Sequence, residues 1–119
     1  ACPEPTVECL FCKIATGDVP ARRLYEDDLA IAFHDTNPQA PVHFLVIPKK
    51  HIATLHDLDE QTDKPLVGHL VHTAQQLALQ LGCDKGFRVV INCDALAGQT
   101  VFHLHLHVLG QRPLYWPPG

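Results

Sequence analysis

The chain has 119 residues and a mass of 13.2 kDa, which is the size of one domain. Hydrophobic residues make up 46% of it and charged residues 18%, a globular rather than a disordered composition. The net charge of −4 argues against a nucleic-acid-binding or membrane-surface protein, since both need an excess of Lys and Arg. No apolar run approaches the roughly 20 residues of a membrane-spanning helix.

The first third of the chain predicts a tail, a short helix and a β-hairpin. Residues 1–8 are Pro-rich and are expected to form an N-terminal tail. Cys9–Ala15 predicts one or two helical turns, because Gly17 follows as a stop signal. Arg22–Glu26 and Leu29–His34 lie on either side of an Asp-Asp pair, a pattern typical of two strands joined by a turn.

The middle of the chain predicts one buried strand and one long helix. Asn37–Pro41 contains two prolines and predicts a loop, and His43–Ile47 is strongly apolar and predicts a strand. Asp63–Leu81 predicts the helix, with Pro65 tolerated in the first turn and Gly82 as the stop. Its apolar residues recur at three- and four-residue steps and form one stripe: Leu66, Val67, Leu70, Val71, Ala74, Leu77, Ala78 and Leu81.

The last third predicts two strands joined by a loop. Phe87–Cys93 and Val101–Leu109 are the strands, and Asp94–Gln99 is the loop. Because the loop is short, the two strands are expected to pair antiparallel. Residues 9–119 are therefore expected to form a single α+β domain, with an antiparallel sheet of about five strands, one long helix and a short N-terminal helix.

Three histidines alternate with apolar residues in the last predicted strand. Side chains of a strand alternate between its faces, so His103, His105 and His107 should share one face at spacings of about 6.6–6.8 Å. The opposite, core-facing side would carry the apolar residues Phe102, Leu104, Leu106 and Val108. Such a row of imidazoles has three explanations: a polar face that happens to use histidine, a metal site, or nucleophilic catalysis. The spacing is too wide for one compact zinc site, and the apolar backing that fixes the rings favours catalysis.

The cysteines favour a reducing, cytoplasmic compartment. Five cysteines cannot all pair with one another, and the start of the chain lacks the basic region and apolar stretch of a secretory signal. Cys2 falls in the predicted tail, and Cys83 and Cys93 are expected to be buried or half-buried thiols. Cys9-x-x-Cys12 is compatible with a redox pair, with half of a zinc site or with coincidence.

Several motifs together resemble the histidine triad (HIT) superfamily and, within it, the Hint branch. Gly98-Gln99-Thr100 precedes the alternating histidines, as in the active-site strand of that superfamily. Further similar segments are Leu10-Phe11-Cys12-Lys13-Ile14, Ala32-Phe33-His34-Asp35, Trp116-Pro117-Pro118-Gly119, and residues 17–21, 25–28, 38–41 and 43–51. The likeness extends over residues 9–119, and the C-terminal ending resembles Hint-like rather than Fhit-like members.

The resemblance implies a purine nucleoside phosphoramidase. Such enzymes cleave the P–N bond of adenosine or guanosine 5′-phosphoramidates, including AMP joined to a lysine amine, and need no cofactor for catalysis. His105 would be the nucleophile that becomes nucleotidylated, since neutral imidazole is a competent nucleophile at pH 7. His107 would hydrogen-bond the phosphoryl oxygens and assist the leaving group, and His43 would belong to a proton relay behind the nucleophile. His103 completes the triad.

The resemblance also assigns the substrate contacts. The purine wall would comprise Leu10, Phe11, Ile14, Phe33 and His34. The ribose and phosphate contacts would comprise Asp35, Asn92, Gly98, Gln99, Thr100 and His107, with Trp116 from the C-terminal segment. Taken alone, the bulky apolar residues are typical of a core and Asp35 of a strand-end cap. Thr36, Asp94 and Ala95 differ from common family choices, which leaves the fine specificity open.

Cys9 and Cys12 distinguish this chain from many Hint proteins. Some bacterial HIT proteins bind zinc with two such cysteines, the histidine after an Ile-Pro-Lys segment and the first histidine of the triad, which correspond here to His51 and His103. A closed set of two cysteines and two histidines implies a structural zinc. Other Hint relatives keep these histidines, lack the cysteines and bind no metal, so both outcomes stay open.

The resemblance further implies a homodimer, in which the two sheets join and each C-terminus approaches the partner's active site. The expected partners are a purine nucleotide and a second copy of the chain, with neither nucleic acid nor a membrane. Two alternative functions are a dinucleoside polyphosphate hydrolase of the Fhit type, which the C-terminus disfavours, and a non-catalytic nucleotide-binding or scaffold protein.

Overall fold

The computed structural model describes residues 9–119 and consists of a five-stranded antiparallel sheet with two α-helices. The elements are α1 (Leu10–Thr16), β1 (Arg23–Glu26), β2 (Ala30–His34), β3 (Val42–Pro48), α2 (Asp63–Gln80), β4 (Phe87–Val90) and β5 (Leu106–Gly110). The strand order is β1-β2-β3-β5-β4. The predicted tail, residues 1–8 with Cys2, lies outside the described residues.

The α+β class and most of the predicted elements are confirmed. Both α-helices and the first three strands begin and end within one residue of the predicted bounds. The predicted hairpin of β1 and β2 and the antiparallel pair of β4 and β5 are both present. Asp27 closes the hairpin, since its Oδ1 accepts the backbone N–H groups of Leu29 at 2.7 Å and Ala30 at 2.8 Å.

The long helix α2 packs its apolar stripe against the sheet. Leu66, Leu70, Ala74, Leu77 and Ala78 are buried there. Val71, which the stripe also included, is 46% exposed, because it lies at the edge of the apolar arc and not at its centre. No helix within residues 9–119 is both long enough and apolar enough to cross a membrane.

Side chains of β2 and β3 alternate between two packed layers, so both faces of the sheet are covered. Ala30, Ala32, Phe44 and Val46 join the layer that contains α2. Ile31, Phe33, Leu45 and Ile47 join a second layer with Phe11, Cys12 and Ile14 of α1. The short helix therefore lies on the face of the sheet opposite α2, and the histidines of the candidate site lie on that same side.

The last two strands are shorter than predicted. β4 ends at Val90 and not at Cys93, and β5 begins at Leu106 and not at Val101. The segment between them is held by the side chain of Gln99, whose Oε1 accepts the N–H of Asp94 at 2.7 Å and whose Nε2 donates to Ala53 O at 2.7 Å. These side-chain bonds take the place of the strand pairing that the alternating pattern predicted for this segment.

Phe102 is the clearest failure of the alternating pattern. The pattern placed its side chain in the core, but 45% of it is exposed. Leu104, Leu106 and Val108 are buried as predicted. The difference arises because Phe102 precedes the first paired residue of β5, so no neighbouring strand fixes which way its side chain turns.

The two remaining predictions about cysteines are confirmed. Cys83 is buried after the end of α2, and Cys93 is half-buried after β4. Burial raises the pKa of the Cys83 thiol, with the nearby Asp84 carboxylate adding to the effect. Both are therefore packing residues.

Candidate active site and metal centre

The three histidines of the triad lie in three different environments. His107 belongs to β5 and pairs with Leu45 of β3, whereas His103 and His105 precede the strand. His103 is fully buried, His105 is 7% exposed and His107 is half-buried. The rings of His105 and His107 lie 4.9 Å apart between centroids. The expectation of three evenly spaced imidazoles on one strand is therefore wrong, since only His107 is a strand residue.

The ring of His105 is held with one nitrogen free. Its Nδ1 lies 2.7 Å from the backbone oxygen of His103, and because a carbonyl can only accept, Nδ1 must carry the proton. The lone pair of the neutral ring is then on Nε2. Burial lowers the pKa of His105 below its ordinary value, which keeps the imidazole neutral at pH 7. His105 thus combines the two properties of a nucleophilic imidazole.

A chain of two hydrogen bonds sets which ring nitrogen of His107 carries the proton. The N–H of Gln39 donates to His43 Nδ1 at 3.0 Å, so the proton of neutral His43 is on Nε2. That Nε2–H lies 3.0 Å from His107 Nδ1 and 3.3 Å from a carboxylate oxygen of Asp35. When His107 Nδ1 accepts it, the Nε2–H of His107 remains available to a ligand.

Both rings of this pair are neutral at pH 7. Burial lowers the pKa of His107 to about 4, and the neighbouring His105 and His43 rings act in the same direction. Burial also lowers the pKa of His43, against the opposing effect of Asp35. The hydrogen-bond directions above therefore apply at physiological pH.

His105 and His107 line a cavity of about 390 Å³, which lies within the usual range of about 300–1,000 Å³ for small-molecule sites. One part of its wall is apolar: Leu10, Phe11, Ile14, Phe33, Leu45 and Val101. The other part consists of polar residues and one glycine: Asp35, Thr36, Asn92, Gly98, Thr100, His105 and His107. An apolar surface beside a carboxylate and two imidazoles suits a ligand with a flat apolar end and a polar, anionic end.

Most of the predicted substrate contacts meet in this cavity, but three do not. The Gln99 side chain is buried and bonded to the loop, so it shapes the wall rather than contacting a ligand. His34 lines an adjoining apolar cavity of about 450 Å³. Trp116 is 83% exposed near the C-terminus and lines none of the cavities described here.

Sequence reasoning missed three residues of the cavity wall. Thr36 was noted only as a departure from common choices, although it directly follows Asp35. Leu45 and Val101 were assigned to strands without a role in the site. Their positions depend on which face of the sheet α1 covers, and the sequence carried no signal for that.

The short helix α1 connects the cavity to a second group of polar side chains. Its Phe11 ring packs edge-on against His105, with centroids 5.0 Å apart, and against Phe33 at 5.6 Å. Cys9 caps the start of the helix, since its Sγ accepts the N–H of Cys12 at 3.3 Å. Helix α1 therefore presents apolar residues to the cavity and two sulfur atoms to the other group.

That second group consists of Cys9, Cys12, His51 and His103, and its geometry fits a tetrahedral zinc ion. Zinc bonds of about 2.3 Å to sulfur and about 2.0–2.1 Å to nitrogen imply S···N edges of about 3.5 Å and N···N edges of about 3.4 Å. The four S···N separations are 3.2–3.5 Å, and the two histidine Nδ1 atoms lie 3.2 Å apart.

The protonation of His103 also suits metal binding. Its Nε2 lies 2.8 Å from Pro48 O and must donate to that carbonyl, so the lone pair is on Nδ1, the atom that points at the sulfurs. Burial lowers the pKa of His103 to about 4, which keeps the ring neutral. The structure records Cys12 in a disulfide-bonded state, so zinc binding requires its reduction to the thiolate.

Asp35, His43 and His107 form another cluster with metal-ligand chemistry. It fits an ion less well, because the Gln39 N–H donates to His43 Nδ1 and leaves a proton, not a lone pair, on the Nε2 that faces the other two residues. Among the described residues, the cluster of Cys9, Cys12, His51 and His103 is therefore the better candidate for zinc, since it offers four donor atoms once Cys12 is reduced.

The chain is similar to known proteins over most of its length. The family model described as the HIT domain matches residues 16–114. An uncharacterized HIT-like protein from Synechocystis sp. is 53% identical over 112 residues, covering 94% of this chain and 97% of its own. The crystal structure of a HIT family hydrolase from Legionella pneumophila has a TM-score of 0.91 at 48% identity, covering 94% of this chain and all of its own. A Zn-bound histidine triad family protein from Mycobacterium smegmatis has a TM-score of 0.78 at 38% identity, covering 88% and 76%.

Proposed function

Because the chain belongs to the HIT domain family, we propose that it hydrolyses purine nucleoside 5′-phosphoramidates and is a member of the Hint branch. The observation that carries the proposal is the buried His105, held by the His103 carbonyl with its Nε2 lone pair free in a ligand-sized cavity. A neutral imidazole of this kind attacks phosphorus, and the N–P bond it forms is readily hydrolysed.

The proposed reaction has two steps. In the first, the substrate nitrogen takes a proton from solvent, His105 Nε2 forms a bond to phosphorus, and the P–N bond breaks so that the amine leaves neutral. In the second, water attacks phosphorus, the electron pair of the N–P bond returns to Nε2, and a proton returns to solvent. The products are the free amine and a nucleoside monophosphate, and the histidine is regenerated.

The neighbouring residues would position the nucleotide. The Nε2–H of His107 would donate to a phosphoryl oxygen, where it offsets charge that builds up in the transition state. Asp35 would accept from the ribose hydroxyls, and Phe11 and Phe33 would contact the base. His43 would act as a fixed donor that sets the tautomer of His107, because its own Nδ1 already faces an N–H group.

The direct test is incubation with adenosine 5′-phosphoramidate. We expect steady release of AMP, and intact-mass analysis of rapidly quenched samples should reveal a fraction of the chain carrying one adenylyl group. Incubation with AMP alone should give no adduct. Diadenosine triphosphate should be a poorer substrate, and binding of both compounds without turnover would instead favour a non-catalytic nucleotide-binding protein.

We further propose that Cys9, Cys12, His51 and His103 hold a structural zinc and that the protein is cytoplasmic. The four donors leave no coordination position for water or substrate, so the ion would stabilise the start of α1 and take no part in catalysis. Thiolate ligands need a reducing compartment, which supports the cytoplasmic assignment.

A homodimer is the third part of the proposal. β4 forms one edge of the sheet, and Val89 on it is 36% exposed. An uncovered edge strand invites pairing, and a two-fold dimer is the commonest way to satisfy it. Light scattering at micromolar concentration should give twice the chain mass of 13.2 kDa. A particle of a single chain mass would contradict the dimer, together with any role of Trp116 at a partner's site.

A further inference from the structure

We propose that the cavity beside the metal centre binds the leaving amine of the substrate and favours amines with an uncharged apolar or aromatic body. This inference rests on the proposed function and specifies its substrate class. The cavity has a volume of about 450 Å³, and its wall includes Cys9, His51, Ala53 and Phe102. It contains neither His105 nor His107 and is therefore distinct from the catalytic cavity.

The two cavities meet at the phosphate end of the catalytic one. Leu10, Thr100 and Val101 line both of them. Thr100 and Val101 follow Gly98 and Gln99 in the loop that precedes the triad, which is where the phosphoryl group would lie. Because the leaving nitrogen is bonded to phosphorus, its substituent must extend from that end of the catalytic cavity.

The other adjoining cavity is on the wrong side for the amine. Besides Leu10, which lines all three cavities, it shares Ile14, Phe33, Asp35 and Thr36 with the catalytic cavity, and these four residues belong to the proposed base and ribose end. It shares neither Thr100 nor Val101. A group that occupied it would extend from the nucleoside. Of these two adjoining cavities, the one beside the metal centre is therefore the one that a substituent on the far side of the phosphorus would enter.

The lining of the cavity beside the metal centre determines the class of amine. Among residues 9–119, no Asp, Glu, Lys or Arg lines it. The polar side chains of its wall are Cys9, His51 and Thr100, and the first two would be committed to the metal ion. A charged substituent would therefore lose hydration there without gaining an oppositely charged partner, which costs free energy. The exposed ring of Phe102 and the side chain of Leu10, each 45% exposed, offer apolar surface that an aromatic or alkyl group would cover.

Three adenosine 5′-phosphoramidates test the proposal: those of ammonia, of phenethylamine and of lysine linked through Nε. In the unmodified protein, kcat/KM should be highest for the phenethylamine compound. Phe102→Ala should lower kcat/KM for that compound about tenfold and change it less than about twofold for the ammonia compound, which has no group to place in the cavity. Phe102→Leu, which keeps apolar surface, should give an intermediate loss.

Leu96→Ala is the matched control, since Leu96 is a fully exposed apolar residue that lines neither cavity. It should leave all three substrates unchanged, and melting temperatures should verify that the Phe102 variants fold. Equal losses on all three substrates in Phe102→Ala, or a preference of the unmodified protein for the lysine compound, would overturn the amine site while the phosphoramidase activity stands. Failure of the unmodified protein to release AMP from any of them would overturn the proposed function and, with it, this assignment.

Discussion

Replacing His105 with Asn or Ala should reduce phosphoramidate turnover by at least about a thousandfold, because the N–P bond of the intermediate can no longer form. Affinity for AMP should change only a few-fold, since the cavity is otherwise walled by residues such as Phe11, Phe33 and Asp35. Steady-state kinetics and calorimetric titration with AMP separate these two effects.

His72→Asn provides the control for the His105 variants. His72 is exposed on α2, on the far side of the sheet from the cavity, so its loss should leave turnover unchanged. The adenylyl adduct should be absent from the His105 variants and present in the control. Turnover of a His105 variant within a few-fold of the unmodified protein would show that another residue attacks phosphorus.

The double substitution Cys9→Ser and Cys12→Ser should abolish zinc binding and lower the melting temperature by at least about 10 °C. A structural zinc contributes several kcal/mol or more to folding, and 1 kcal/mol corresponds to roughly 4–8 °C in a domain of about this size. Turnover measured well below the melting temperature should fall much less, because an ion held by the cysteine-containing cluster would contact neither His105 nor His107. Metal analysis and thermal unfolding of protein purified with a reductant measure both quantities.

Cys93→Ser removes a half-buried thiol outside the cluster and is the matched control for this experiment. It should keep a full complement of zinc and a nearly unchanged melting temperature. Absence of zinc from the unmodified, reduced protein would rule out the structural ion. Equal melting temperatures of the double variant and the control would show that the cluster does not stabilise α1.

The sequence predicts an element of the fold well where the apolar residues follow one clear pattern along the whole element. Helix α2 repeats apolar residues at helical spacing for five turns, so its bounds follow to within one residue. β3 is equally clear, because every residue from His43 to Pro48 is buried. The strand prediction for Val101 to His105 is wrong because alternation describes a strand paired with a neighbour. This segment is instead held by isolated hydrogen bonds, such as that from Leu104 N–H to Ile52 O.

The candidate site was predictable in its residue types but not in its geometry. Motif resemblance named the histidines and the apolar wall, but it could not tell that the Gln99 side chain turns into the loop. Nor could it tell which cavities adjoin the phosphate end, since this depends on how α1 packs against residues 90 positions later in the chain. Long-range packing of this kind is not encoded in local periodicity.

The side chain and the backbone oxygen of His103 make different contacts, and this affects how the protein tolerates mutation at position 103. Its side chain belongs to the candidate metal site, whereas its main-chain oxygen accepts the Nδ1–H of His105, the proposed nucleophile. Every amino acid supplies that oxygen, so no substitution at position 103 deletes the acceptor itself; it can only displace it. The orientation of the proposed nucleophile is thus set by the backbone path at position 103, and the side chain there would serve the proposed metal site.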